Sequence, residues 1–238
     1  MKAYTQELPH VSWLGGGTCT GKTSITERLS DKYDLRVYHC DDLFEEHRNR
    51  AEPDKHPTFY NAIFTSYKEM DWERCWMRPV ETLLKEQMAI YAKEFQMIAS
   101  DLLDMPRSRP ILAEGSALLP RCVEEMLVTP CAATWLIPEE TFHRRMYQQR
   151  VPWVRQILNQ CADPRQAFDN WMRRDIAFAT RVALQSAEIG LKTLTIDGSR
   201  SLQENARRVE THFGKLLTAS GDIRLTCLSP SAYTRPSM

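Results

Sequence analysis

The run Gly15-Gly16-Gly17-Thr18-Cys19-Thr20-Gly21-Lys22-Thr23-Ser24 contains the spacing Gly16-x-x-x-x-Gly21-Lys22-Thr23. That spacing suits one kind of chemistry. Glycines let a backbone turn its N–H groups inward around a phosphate, and a helix starting there adds partial positive charge. Lys22 would reach the β- and γ-phosphates, and Thr23 would offer its hydroxyl to Mg²⁺. Gly16, Gly17, Thr18, Cys19, Thr20, Gly21, Lys22, Thr23 and Ser24 are therefore the expected nucleotide contacts. The flanks fit: Val11-Ser12-Trp13-Leu14 reads as a short buried strand, and Ser24 to Leu29 opens a helix.

Phosphoryl transfer needs positioning and charge neutralisation more than covalent help. Beyond the cradle it needs Mg²⁺, a group for the nucleophile's proton and cations near the moving phosphoryl. Asp41, Asp42 and Glu114 are the candidate acids, since Mg²⁺ prefers oxygen ligands and keeps several waters. Thr23, Asp41 and Glu114 are candidate metal ligands. Asp41 stands slightly ahead of Asp42 as base. Arg144, Arg145, Arg150 and Arg155 form a cationic segment whose planar forks suit phosphate oxygens; a solvated helix face accounts for the segment equally well. Arg173 and Arg174 read as a solvated face.

These residues must be carried by elements. Residues 35–40, 111–115, 132–137 and 191–196 read as four further strands, with Asp41, Asp42, Glu114 and Asp197 at their carboxyl ends. Residues 45–60, with Pro53 and Pro57, read as a loop. Residues 60–103 read as helical, with Met88, Tyr91, Phe95, Ile98 and Leu102 in one apolar stripe. Residues 167–189 read as a long helix stopped by Gly190, and Ser201 with Glu204 forms a capping box for the last helix. Strands alternating with helices imply a parallel α/β sheet, with ligands outside the carboxyl ends of its strands. One domain spans residues 1–217, with a flexible tail at 218–238.

The 238 residues carry equal numbers of acidic and basic side chains, so the net charge is zero. A nucleic-acid partner is disfavoured, because phosphate neutralisation dominates such binding. The seven cysteines are odd in number and form no C-x-x-C pair, which argues against a disulfide framework or a zinc site. With no long apolar segment or signal peptide, a cytoplasmic protein without a membrane partner is expected. The oligomeric state stays open.

The segments 16–24, His39-Cys40-Asp41-Asp42 and Leu112-Ala113-Glu114-Gly115 resemble the small-molecule and nucleotide kinase branch of the P-loop NTPase fold. Adenylate, shikimate and gluconate kinases, chloramphenicol phosphotransferase and the zeta-toxin kinases belong to that branch. The resemblance implies a five-stranded parallel sheet in the order 2-3-1-4-5 with helices on both faces, a helical acceptor-binding insertion near 43–109 and a mobile arginine-bearing lid near 139–175. It also implies ATP with Mg²⁺, an acid after the second strand serving as base or substrate contact, and an adenine-side turn at Asp197. The stretch between the second and third strands departs from the named members by its Trp, Tyr and Met content (Tyr60, Tyr67, Trp72, Trp76, Met77). Most of these aromatics read as core, with a ring- or sugar-binding pocket at Trp72 and Trp76 as the alternative. The expected activity is transfer of the γ-phosphoryl of ATP to a hydroxyl or phosphate of a small molecule. A nucleotide-dependent switch ATPase, or a kinase of nucleotide-sugars or nucleic-acid ends, is the alternative; the guanine-specific N-K-x-D motif is absent.

Overall fold

A computed structural model describes residues 8–57, 71–149 and 151–218. Five strands form one sheet: β1 (Val11–Gly16), β2 (Arg36–His39), β3 (Ile111–Glu114), β4 (Ala133–Pro138) and β5 (Lys192–Ile196). Every pairing is parallel and the order is β2-β3-β1-β4-β5. β1 and β3 are buried along their whole lengths, as strands covered on both faces must be.

Side-chain alternation splits the core into two layers. Val11, Trp13, Ile111, Ala113, Ala133 and Trp135 point to one face. There they meet α4 (Val80–Asp104) and α8 (Pro164–Glu188) through Phe95, Ile98, Leu102, Phe178 and Val182. Leu14, Leu112, Leu136, Leu194 and Ile196 point the other way, onto α1 (Lys22–Tyr33) and α9 (Leu202–Phe213). Helices thus cover both faces. Trp13 and Trp135 are completely buried, and truncating either would cost about 3–5 kcal/mol. The stripe from Met88 to Leu102 packs into this core as its spacing requires, and the Ser201–Glu204 capping box forms.

The register sets the carboxyl ends level. Leu14 lies opposite Glu114, His39 opposite Glu114, and Gly16 opposite Leu136. The loop after β1 therefore rises between the end of β3 and the end of β4.

Two expectations are corrected. The chain does not enter a loop at residue 45, because α2 (Cys40–Arg50) begins directly after β2. Asp41 and Asp42 sit in its first turn and His47, Arg48 and Arg50 in its last, which suits the helix dipole. Glu45–Arg48 and Glu46–Arg50 pairs line its outer face. The helical stretch up to Leu103 is divided, with α3 (Trp72–Trp76) ending before Pro79 and α4 starting at Val80. Residues 58–70, with Tyr60 and Tyr67, fall outside the described residues, as do the tail from residue 219 and Arg150. The remaining described helices are α5 (Pro120–Glu124), α6 (Glu140–Gln149) and α7 (Val151–Leu158). Among the described residues no helix is long and apolar enough to cross a membrane.

An ionic cluster centred on buried His47 and Glu94 fastens α2 to the sheet and to α4. His47 is fully buried, with Nδ1 3.3 Å from Glu94 Oε1 and Nε2 2.9 Å from Asp101 Oδ2. Tyr38 donates to Asp101 Oδ2 at 2.8 Å, and Arg50 donates to its Oδ1 at 2.7 Å. Burial alone would lower the His47 pKa, but the hydrogen bonds to Glu94 and Asp101 outweigh it and hold the value above the ordinary one. The fold thus favours the charged imidazolium. Its contribution is full below about pH 6.5, the ordinary histidine value, and is lost as the pH rises through the higher folded value. His10 and His212 are lowered by burial and act in the opposite sense. Urea midpoints measured from about pH 6 to about pH 9 should therefore show a wild-type advantage over His47→Gln that shrinks as the pH rises.

Candidate functional site

The glycine-rich loop begins where β1 presses against β4. A Cβ on Gly15 would lie 2.2 Å from Trp135 Nε1. One on Gly16, whose φ is +122°, would lie 2.1 Å from the Leu136 carbonyl oxygen. Only glycine fits at that approach. Gly17 N–H donates to Leu136 O at 3.0 Å, carrying the β1–β4 pairing one residue past the strand. Thr20 then donates to Gly17 O at 2.9 Å, which folds the loop on itself. Gly21, in the left-handed region at φ 82°, caps α1 without a side-chain hydrogen bond. The first-turn amides of α1 thus keep the character of a helix N-terminus open to anions.

Lys22 lies inside this turn, 7% exposed. Its Nζ donates to Gly17 O at 2.8 Å and to Gly16 O at 3.3 Å. Burial pulls its pKa below the ordinary lysine value, while the charges of Asp41 and Glu114 pull it back up. These are the carboxylates that act most strongly on it, and Asp42 is not among them.

Glu114 ends β3 and is 4% exposed. Its Oε1 accepts from the Thr23 hydroxyl at 3.1 Å and lies 2.8 Å from His39 Nδ1. Thr23 itself is exposed on the first turn of α1. Asp41 is exposed at the start of α2, with Oδ1 3.5 Å from where a Gly115 side chain would begin. Its charge also reaches Tyr91 and Glu94 on α4. The loop, Lys22, Thr23, Glu114, His39 and Asp41 therefore converge, and Asp42 stands aside from the pair that acts on Lys22. An oxygen pair such as Thr23 and Glu114 suits a hard cation. Among the described residues no group of three His, Cys, Asp or Glu forms a metal cluster.

The arginines separate. Arg144 is tied to Glu140 at 2.9 Å and to Asp169 at 3.0 Å. Arg145 stacks over Phe142 and lies against Gly198, beside the turn where Asp197 accepts from the Ser199 amide and hydroxyl. Arg155 is exposed. Arg174 is not on a solvated face. Its side chain is 18% exposed, with Nε 2.7 Å from Asp175 Oδ1 and the guanidinium over the Trp76 ring. Trp76 stacks on Trp171 at 4.6 Å, and both join a buried cluster with Trp72 and Tyr147 against which Cys19 packs. Trp72 and Trp76 are thus core side chains.

Two residues escaped the sequence reading. His39 had no assigned role, because its contact with Glu114 depends on the β2–β3 register. Asp175 was hidden in the charged run Arg173-Arg174-Asp175. Its 5% exposure follows from helical spacing, which places it between Trp171 and Phe178 on the inner face of α8. A carboxylate inside an apolar stripe was the available signal. Asp175 Oδ2 accepts from the Thr18 hydroxyl at 3.1 Å and lies 3.4 Å from His143 Nε2. Burial pushes its pKa up, yet Arg174 and His143 outweigh this and hold it below the usual carboxylate value.

No protein-family model matches the chain, and no curated protein matches it. Solved structures do. An uncharacterised protein from Eubacterium ventriosum ATCC 27560 is similar at TM-score 0.37 and 12% identity, over 85% of this chain and 97% of that one. A protein from Chloroflexus aurantiacus J-10-fl, described as a candidate kinase, is similar at TM-score 0.36 and 14% identity, over 87% and 98%. At these scores no residue role is transferred from either.

Gly16→Ala should cost about 3 kcal/mol or more, since strain at positive φ adds to a clash with backbone that cannot move aside. Gly190→Ala should cost only about 1–2 kcal/mol, because that residue has φ +70° but open space around it. Urea unfolding of the two variants measures the difference.

Proposed function

We propose that this chain is a P-loop kinase that transfers the γ-phosphoryl group of ATP to a hydroxyl or phosphate of a small molecule. The observation that carries the reading is Lys22, buried inside a glycine turn at the carboxyl end of the central strand and flanked by Asp41 and Glu114. A buried ammonium held between carboxylates and bonded only to carbonyl oxygens is suited to exchange those carbonyls for phosphate oxygens. The loop amides and the N-terminus of α1 would bind the β- and γ-phosphates.

Thr23 and Glu114 are the oxygen donors that would hold Mg²⁺, with Asp41 as a further candidate. The ion would supply offsetting charge to the phosphate oxygens. His39 orients the Glu114 carboxylate through Nδ1. Asp41, at the mouth of the site and near Tyr91, takes the proton of an acceptor hydroxyl as its oxygen bonds to the γ-phosphorus and the bond to the ADP oxygen breaks. The Asp197–Ser199 turn, with Arg145 beside it, would face the adenine. The segment after β4, with Arg144 and Arg150, would act as the lid.

Transfer from γ-labelled ATP should be tested across a panel of hydroxylated and phosphorylated metabolites. Turnover should rise sharply with one of them, and Lys22→Ala should reduce it by roughly 100-fold or more while circular dichroism stays that of the wild type. Turnover that no metabolite raises, or that survives Lys22→Ala, would overturn the assignment.

A further inference from the structure

We infer that Asp175 is a positioning residue that fixes the crest of the glycine-rich loop to α8 and α6. Its two oxygens serve different partners. Oδ1 holds Arg174 at 2.7 Å, and Oδ2 accepts from Thr18 at 3.1 Å and faces His143 of α6 at 3.4 Å. A carboxylate at 5% exposure is costly to bury unless it is both paired and hydrogen-bonded. Asp175 meets that condition by joining three elements, one of them the loop.

The loop needs an anchor at this point. Immediately after Thr18 the backbone enters the left-handed region at Cys19, φ 62°, which a residue with a Cβ adopts only when its surroundings impose it. The hydrogen bonds of Thr20 and Lys22 end on the Gly16 and Gly17 carbonyls at the base of the loop and do not tie its crest at Thr18 to α8 or α6. The Thr18–Asp175 bond does, and the Tyr147 hydroxyl, 3.5 Å from Thr18 Oγ1, approaches from α6. The same carboxylate holds Arg174 against Trp76, so the loop crest and this cation keep one fixed separation. With the crest anchored, the loop amides are ordered before any ligand arrives, which lowers the entropic cost of binding. This last consequence rests on the nucleotide-binding reading; the anchoring itself does not.

The test uses the full chain and two readouts. The first is the rate at which iodoacetamide modifies Cys19, followed by peptide mass mapping without nucleotide. The second is the Kd for MgATP. Thr18→Val removes the loop bond and leaves Asp175 with Arg174 and His143; Asp175→Asn removes the charge. Each should speed Cys19 labelling severalfold and raise the MgATP Kd about tenfold, the effect of one charge-assisted hydrogen bond. Thr18→Ser, which keeps the hydroxyl, should restore wild-type behaviour, and the double variant should fall short of additivity. The inference is overturned if folded Thr18→Val labels Cys19 at the wild-type rate. Failure of the wild type to bind MgATP would sink the kinase reading, while the labelling rates would still decide the role of Asp175.

Discussion

The close approach of the end of β1 to β4 is the constraint on which the site depends. At Gly15 and Gly16 the space a side chain would take is filled by Trp135 and the Leu136 backbone. The loop therefore leaves the sheet from a fixed point, with Gly17 N–H still held by Leu136. From that point the turn can only close back on itself. Its closure sets where α1 begins, and the start of α1 sets where Lys22 and Thr23 stand. Since β3 lies on the other side of β1, Glu114 reaches Thr23 without any loop of its own. One packing limit thus places Lys22 and Thr23 beside Glu114.

Charge balance within that geometry explains why Lys22 can be buried. An ammonium removed from water is strongly disfavoured unless it is hydrogen-bonded and compensated. Gly16 and Gly17 carbonyls supply the bonds, and Asp41 with Glu114 supply the compensation. The two acids differ in what they can do next. Glu114 is buried and engaged by Thr23 and His39, so it is held to one orientation. Asp41 is exposed and keeps access to whatever enters from α4.

Much of this was legible in the sequence, and the misses share a cause. β1, β3 and β4 declare themselves as short apolar runs closed by glycine, acid or proline, and the loop declares itself by glycine spacing. α2 does not, because its residues from 40 to 50 are nearly all polar and only Cys40 and His47 are buried. Its stability comes from His47 meeting Glu94 and Asp101, partners about fifty residues away in the chain, which no local period reveals. Arg174 reads as solvent-facing, and Asp175 goes unnoticed beside it, when charge is weighed before position. The spacing of Trp171, Phe178 and Val182 already placed Asp175 inside. His39 needed the strand register, which the sequence does not carry.

Two ionic clusters, each built around a buried charged group, hold α2 and the loop, and their chemistry bears on why they are ionic. One joins His47, Glu94, Asp101, Tyr38 and Arg50, and holds the helix that carries Asp41. The other joins Asp175, Arg174, His143 and Thr18, and holds the crest of the loop itself. Well-packed apolar side chains would often stabilise such positions as well or better. Apolar contacts, however, are non-directional and tolerate sliding, whereas hydrogen-bonded charges fix both distance and angle. The core of the sheet is built from Trp13, Trp135 and aliphatic residues. The ionic clusters occur where α2 meets α4 and where the loop crest meets α8. Stability and placement are thus supplied by different interactions.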